Sequence, residues 1–153
     1  MEKQTSYLSA FQLLCKGIIV ADLIQTSANV RTQATTQRLQ QTAGETITAG
    51  MPVYRKAADN KWWKAIDTSV ATALAGGIAL TNAGADELID VALSGSINVG
   101  ATLVLAQIYV VSASGAIAPV GDLLSGDFVT ILGVATSTSL LELNINASGV
   151  AKP

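Results

Sequence analysis

The stretch GIALTNAGADELIDVALSGSINVG, residues 77–100, decides the fold class of this chain. Short runs of Ile, Val, Leu and Ala alternate there with the turns Asn82-Ala83-Gly84 and Ser94-Gly95. The same rhythm continues to Gly149, where the further apolar runs are Thr102 to Val111, Leu123-Leu124 and Phe128 to Leu132, each followed by a turn with glycine. Strand-sized apolar runs separated by glycine about every ten residues predict an all-β fold, a small β-barrel or β-sandwich.

The composition limits the functions that this chain can have. Its 153 residues are enough for one domain with a core of its own. Half of the residues are apolar and 13% are charged, so the surface is poor in charge or partly covered in an assembly. The sequence has no histidine to act as a general base, and its single cysteine, Cys15, excludes an intramolecular disulfide. We therefore expect no enzyme activity, no cofactor, no metal and no small-molecule substrate.

Charge is divided unevenly along the chain. Residues 1–64 hold eight of the nine Lys and Arg against four acids, whereas residues 65–153 hold seven acids against Lys152 alone. This division favours head-to-tail contacts between copies, because oppositely charged patches attract each other. The alternative is that a small number of charges has divided in this way by chance.

The segment from Tyr7 to Ile24 is rich in apolar residues but is interrupted by polar ones, among them Lys16. No apolar run approaches the roughly 20 residues that a membrane-spanning helix needs. Lys16 also lies where a signal peptide would be apolar. Phe11 and Leu14 have helical spacing, whereas residues 17–21 are typical of a strand. We expect a partly helical N-terminal segment in a protein that is neither secreted nor bound to a membrane.

Residues 25–48 differ in character, because Gln, Thr, Ser and Ala dominate them. Such a composition favours an extended segment with little to place in a core. One interpretation is an arm that wraps a neighbouring subunit and becomes ordered on assembly. The other is a surface loop or an edge strand of the same domain. The pattern predicts an extended N-terminal arm, residues 1–42, followed by a β-barrel domain, residues 43–153.

A hairpin is predicted around Asp59-Asn60-Lys61, with a return strand that contains two tryptophans. Successive strand residues point to opposite faces, so one of Trp62 and Trp63 is expected to face inward. The basic residues beside these rings could form a nucleic-acid patch, in which cations contact phosphates and rings stack on bases. The acidic second half of the chain argues against that alternative, and we expect a solvated hairpin and no nucleic-acid partner.

Two further groups of residues have the chemistry of a site but lack its spacing. Asp86, Glu87 and Asp90 carry oxygen ligands for a hard cation, yet a strand over residues 87–93 would point Glu87 away from Asp90. The serines that precede glycine have no histidine to activate them. Asn146-Ala147-Ser148 fits a glycosylation sequon, but we interpret it as tail sequence.

The order of these turns and strands resembles the small head-decoration, or capsid cement, proteins of tailed bacteriophages. The resemblance covers about residues 43–145 and consists of AGETITAGMPVYRK (43–56), ADNKWWKAI (58–66), GGIALTNAG (76–84), VALSGSINVGATL (91–103), IYVVSASGAIAP (108–119) and DLLSGDFVTILGVATS (122–137). It is a pattern of turns and strands and contains no catalytic signature. Some tail and fibre proteins carry similar β-modules.

The resemblance implies a homotrimeric β-barrel or β-sandwich protein that is made in the host cytoplasm and lies on the outer capsid surface of the virion. There it would clamp adjacent subunits of the major capsid protein, its expected partner, and stabilise the expanded head. The alternative is a trimeric β-module of a tail fibre or spike that acts in adhesion. Aromatic and aliphatic anchors dominate interfaces, so the expected contact residues are Tyr7, Phe11 and Leu14, supported by Arg31 and Arg38. The other possibility is that Phe11 and its neighbours complete the chain's own core.

Overall fold

A computed structural model describes residues 22–153, and it confirms the predicted all-β class. The chain forms a curled antiparallel sheet, a half-barrel, with one short helix, α1 (Val70–Ala73), and two 3-10 turns at Ser27–Asn29 and Val120–Asp122. The strands are β1 (Val30–Thr32), β2 (Gln37–Thr42), β3 (Pro52–Arg55), β4 (Trp62–Lys64), β5 (Gly77–Ala79), β6 (Leu88–Val99), β7 (Ile108–Val111), β8 (Ile117–Pro119), β9 (Phe128–Ala135) and β10 (Leu140–Ala151).

Strand β6 organises the sheet, because it pairs along both of its sides. The strand order is β4-β3-β5-β6-β10-β9-β7-β8, with β1 and β2 paired in line along β6. The first half of β6 pairs with β2 and β5, and its second half pairs with β1 and β10. The turn predicted at Ser94-Gly95 is therefore wrong, because β6 runs through both residues without reversing.

Gly95 bends β6 without ending it. Its φ of 89° lies in the left-handed region, and a Cβ there would overlap the carbonyl oxygen of Thr35. Only glycine lets the two backbones approach this closely without strain. A bulge beside it, between the pairs Gln37–Ser94 and Arg38–Ala92, adds an extra residue to β6. Ala92 and Ile97 consequently face the same core, although the four residues between them would place them on opposite faces of a regular strand.

Two cores lie on opposite faces of β5 and the first half of β6. The larger core consists of Ala65, Ala75, Ile78, Ala92, Ile97, Val99, Leu103, Tyr109, Val111, Ile117, Leu132, Ala135, Leu141 and Leu143. The smaller core consists of Ala43, Ile47, Val53, Trp62, Ala79, Ala83, Ile89 and Val91. Neighbours such as Ile78 and Ala79 therefore contribute to different cores. This explains why β5 is a continuous apolar run that is buried on both faces.

The segment from Asp22 to Thr42 lies along the chain's own sheet. Thr26 donates its N–H to Gly100 O at 2.7 Å, and the side chain of Gln25 donates to Val99 O at 2.8 Å. β1 and β2 follow as edge strands paired with β6, which was the alternative to an arm on a neighbouring subunit. The expected anchors Tyr7, Phe11 and Leu14 fall outside the described residues, as does the expected helix.

The hairpin β3–β4 forms as predicted. Arg55 pairs with Trp62 and Tyr54 with Trp63 across the turn, where Asn60 has a φ of 60°. Trp62 is 3% exposed in the smaller core, whereas Trp63 is only partly buried. The expectation that one tryptophan faces inward is confirmed.

Three expectations about strands are wrong. Of the run Thr102 to Val111 only β7 is a strand, because residues 104–107 form a turn in which Gln107 N–H bonds Val104 O at 3.0 Å. Leu123-Leu124 forms no strand and follows a 3-10 turn. The supposed tail around Asn146-Ala147-Ser148 belongs to β10, a strand of twelve residues.

Candidate interaction surfaces

The longest candidate surface is the outer edge of β1 and β2. Within residues 22–153, Gln37–Thr42 make ladder bonds to β6 on one side and no other backbone hydrogen bonds. Most of the β2 side chains are exposed, and Arg38 is its only charged residue. An open strand edge presents a row of N–H and C=O groups that another extended chain can pair with.

The two expected interface arginines both lie on this edge. Arg31 is exposed on β1, opposite Asn98, and its Nη1 donates to the backbone oxygen of Val30 at 2.8 Å. Arg38 is on β2, opposite Ala92, with its side chain 64% exposed and Nη1 4.0 Å from Asp90 Oδ2. An exposed ion pair at this distance contributes little to stability. Arg38 can therefore leave Asp90 to contact a partner.

The edges of β4 and β8, at the two ends of the strand order, are blocked. On the edge of β4, Gly44 N–H bonds Trp62 O at 2.8 Å and the Glu45 carboxylate accepts the Lys64 N–H at 2.8 Å. On the edge of β8, Leu23 N–H bonds Ile117 O at 2.8 Å. Natural sheets use such caps to prevent unwanted pairing. Their presence on β4 and β8 contrasts with the open edge of β2.

An open groove of about 650 Å³ lies at the end of β1. Its lining consists of Ile24, Thr26, Asn29, Arg31, Asn98, Gly100, Ala101, Thr102, Thr138 and Ser139. Most of these residues are uncharged hydrogen-bonding groups, and Arg31 is the one ionised side chain in the lining. The groove extends the same surface on which both arginines lie.

A second surface is apolar and surrounds the start of β7. Val104 and Leu105, at the preceding turn, are 65% and 63% exposed. Ile108 and Val134 are directly opposite each other on β7 and β9, and both are exposed. Cross-strand neighbours share one face of a sheet, so these two side chains form a continuous patch. Clustered exposed apolar residues mark a surface that binds other molecules.

Three of the four basic residues of the β3–β4 hairpin have partners within the chain, and the fourth, Arg55, is exposed. Lys61 bonds the Asp86 carboxylate, which raises the pKa of Lys61, and Lys64 Nζ is 4.0 Å from Glu45 Oε2. Lys56 lies over the Trp63 ring, 4.4 Å from its centroid. Gly44 packs closely against the same indole. Lys56, Lys61 and Lys64 therefore each contact a ring or a nearby acid.

The carboxylates of Asp86, Glu87 and Asp90 have separate partners. Asp86 pairs with Lys61, Glu87 accepts the Gly84 N–H at 2.7 Å, and Asp90 lies near Arg38. Nowhere in residues 22–153 do three or more metal-binding side chains converge on one point. The same part of the chain contains no helix that is long and apolar enough to cross a membrane.

One buried acid was not singled out from the sequence. Asp67 lies between β4 and α1 and is 2% exposed, although its Oδ1 has no hydrogen-bond partner. Burial, followed by the nearby charges of Asp127 and Asp22, raises the pKa of Asp67 to about 6. An isolated Asp after a strand gives no sequence signal of this environment, because Asp22 and Asp127 reach it only through the fold.

No protein-family model, no curated protein and no solved structure matches the chain.

Proposed function

We propose that this chain is a structural virion protein that binds the outer surface of a phage capsid as a cement protein and clamps neighbouring major capsid subunits. The observation that carries the proposal is the outer edge of β1 and β2, where residues 22–153 supply no further backbone pairing, whereas the edges of β4 and β8 are capped. An open edge of this length favours binding of an extended segment from another protein.

The charge distribution supports binding to protein. Arg31 and Arg38 project from the edge among Thr and Gln residues. A surface with few charges loses little hydration when it is covered, and two arginines are enough to orient an acidic or polar partner.

The apolar patch at Val104, Leu105, Ile108 and Val134 supplies a second type of contact. Backbone pairing at an edge is tolerant of sequence, whereas apolar side chains in pockets fix the position of a partner. Each copy needs only modest affinity, because a shell presents many equivalent sites and contacts between copies add to the binding.

The direct test is cosedimentation of the purified protein with expanded capsids. We expect binding that saturates at a fixed number of copies per capsomer. The double variant R31E/R38E should reduce the bound fraction more than tenfold at subsaturating concentration, because it reverses both charges on the edge. The matched control R55E changes an exposed arginine on the β3–β4 hairpin and should bind normally.

The outcomes separate the proposal from its alternative. Absence of capsid binding would overturn the cement role. Binding to host cells without binding to capsids would favour the module of a tail fibre or spike. Equal loss in R31E/R38E and R55E would show that overall charge, and not the β1–β2 edge, controls binding.

The proposal includes self-association as a homotrimer. Light scattering should give a mass near three chains, since the opposite charges of the two parts of the chain favour head-to-tail contacts. A monomer at micromolar concentration would contradict the trimer without excluding capsid binding.

A further inference from the structure

The environment of Asp67 contains two acidic oxygens without partners. Asp67 Oδ1 and Asp22 Oδ1 are both buried and accept no hydrogen bond from the described residues. The other oxygen of Asp22 accepts a hydrogen bond from the Ser114 hydroxyl. Buried polar atoms are almost always paired, so two unpaired acceptors in one region require an explanation. A proton held at this site would supply the donor that the region lacks.

The charged groups around Asp67 increase the cost of its ionisation. Asp22 and Asp127 both act on it with the same sign of charge. The lysines on the adjoining elements bind elsewhere: Lys64 Nζ lies near Glu45, and Lys152 Nζ donates to the backbone oxygen of Leu123. Ionised Asp67 would therefore be buried within reach of two further negative charges, while the lysines on the adjoining elements are directed at other groups.

The three acids differ in how firmly the fold holds them. The backbone oxygen of Asp67 accepts the Phe128 N–H at 2.8 Å. Asp127 lies in a turn in which its carboxylate accepts the Leu124 N–H at 2.7 Å and its backbone oxygen accepts the Lys152 N–H at 2.8 Å. Asp22 has the contact with Ser114, and the next residue along the chain bonds β8. When the acids repel one another, Asp22 is the one that can move.

We propose that Asp67, Asp22 and Asp127 form a pH-sensitive latch that fixes the start of the N-terminal segment to β8 when Asp67 is protonated and releases it when Asp67 ionises. The released part would be Asp22 and Leu23, because Gln25 and Thr26 keep separate hydrogen bonds to Val99 and Gly100. The latch does not depend on capsid binding.

The raised pKa of Asp67, about 6, places the change between mildly acidic and neutral pH. Protonation provides an O–H donor for the unpaired acceptors, whereas ionisation removes it and adds a third negative charge. Loss of the Leu23 bond to Ile117 would also uncap the edge of β8. The latch therefore links pH to the exposure of a strand edge.

Hydrogen exchange of the Leu23 amide, measured by NMR on the full chain from pH 5 to pH 8, tests the latch. After correction for the intrinsic base-catalysed rate, we expect its protection factor to fall at least tenfold as pH rises. The Thr26 amide, bonded to Gly100 O, serves as the internal reference and should change little. A constant protection factor at Leu23 across this range would overturn the proposal.

Variants identify the group that titrates. D67N should keep the Leu23 amide protected at every pH, whereas D86N, which removes an exposed acid that pairs with Lys61, should keep the wild-type pH dependence. Unchanged pH dependence in D67N would exclude Asp67 as the cause. If D67N does not fold, direct NMR titration of the Asp67 carboxyl in wild type and in D22N decides the matter. Asp67 should titrate at lower pH in D22N, and an identical titration in both would contradict the coupling.

Discussion

The two cores of this protein lie on opposite faces of the same two strands, and they are built differently. The smaller core, around Trp62, Ile89 and Val91, is closed by short loops and by caps such as the Glu45 carboxylate on Lys64 N–H. The larger core, around Ile97, Leu132 and Leu141, is closed by the pairing of β9 with the long strand β10. One is completed by local turns and the other by a strand from the far end of the chain.

This difference shows how β6 couples the two cores. Its first half supplies Ile89 and Val91 to the smaller core, and its second half supplies Ile97 and Val99 to the larger. The bend at Gly95 directs both sets inward. Since both cores depend on one strand, we expect the protein to unfold as a single cooperative unit.

The largest expected effect on stability comes from replacing one isoleucine in each core with alanine. Ile97→Ala and Ile89→Ala remove fully buried side chains from the larger and the smaller core, and each should cost about 2–5 kcal/mol of unfolding free energy. Urea denaturation followed by far-UV circular dichroism gives the values. Two separate transitions in either variant would show that the two cores unfold independently. A single transition at lower urea would show that they unfold together.

Substitution of Gly95 tests the bend itself. Gly95→Ala should destabilise by about 3 kcal/mol, because it combines a positive φ with overlap of the new Cβ and the Thr35 backbone. The matched control is Gly126→Ala, where φ is 95° but a Cβ would meet no atom within 4 Å. That variant should lose only about 1 kcal/mol. Equal losses would show that backbone conformation, and not the close approach of residues 35 and 36, requires glycine in β6.

Asp67 makes the stability of the folded state depend on pH. Its raised pKa means that the folded state binds more protons than the unfolded state between about pH 4 and pH 6. The free energy of unfolding should therefore be highest near pH 4 and fall as the pH rises through 6. Asp67→Asn should stabilise by about 1–2 kcal/mol at pH 8 and change little at pH 4. Thermal melts at both pH values provide the measurement, and greater stabilisation at pH 4 would contradict the sign.

The smallest expected effect concerns a cap beside the smaller core. Glu45→Ala leaves the Lys64 N–H on the edge of β4 without its acceptor and should cost about 1 kcal/mol. Glu45→Gln keeps an acceptor oxygen and should be nearly neutral, since the ion pair with Lys64 is partly exposed. A large loss in Glu45→Gln would mean that charge matters more here than the hydrogen bond.

The region around the smaller core, which is completed by local turns, was easier to predict from the sequence. Asp59-Asn60-Lys61 forms a turn that its residues favour directly, and the strands beside it lie close to where the pattern placed them. The turn predicted at Asn82-Ala83-Gly84 lies further along the chain, because Ala83 bridges to Ile47 and the turn runs from Gly84 to Glu87. Alternation alone predicted that one of the two tryptophans faces inward, and the fold shows that it is Trp62. Gly95 was misjudged because glycine signals a turn and a bulge equally well, and only the approach of residues 35 and 36 decides between them.

The larger core was harder to predict because its partners are distant in sequence. β10 alternates Ile145 and Ala147 with exposed Asn146 and Ser148, a weak strand signal that becomes decisive only when β9 lies beside it. The edge formed by β2 was hard to predict for a similar reason. The Gln and Thr residues of β2 fitted an arm as well as an edge strand, and pairing with β6 distinguishes the two. The cluster around Asp67 depends on contacts from three separate segments, so no local pattern could reveal it.

Trp62 and Trp63, the only tryptophans in the chain, are adjacent on β4, and this has a practical consequence. One indole reports on the interior of the smaller core and the other on its rim, where Gly44 and Lys56 contact the ring. Intrinsic tryptophan fluorescence thus observes a single side of the molecule. Recording tryptophan emission through a melt would follow the smaller core without any added label.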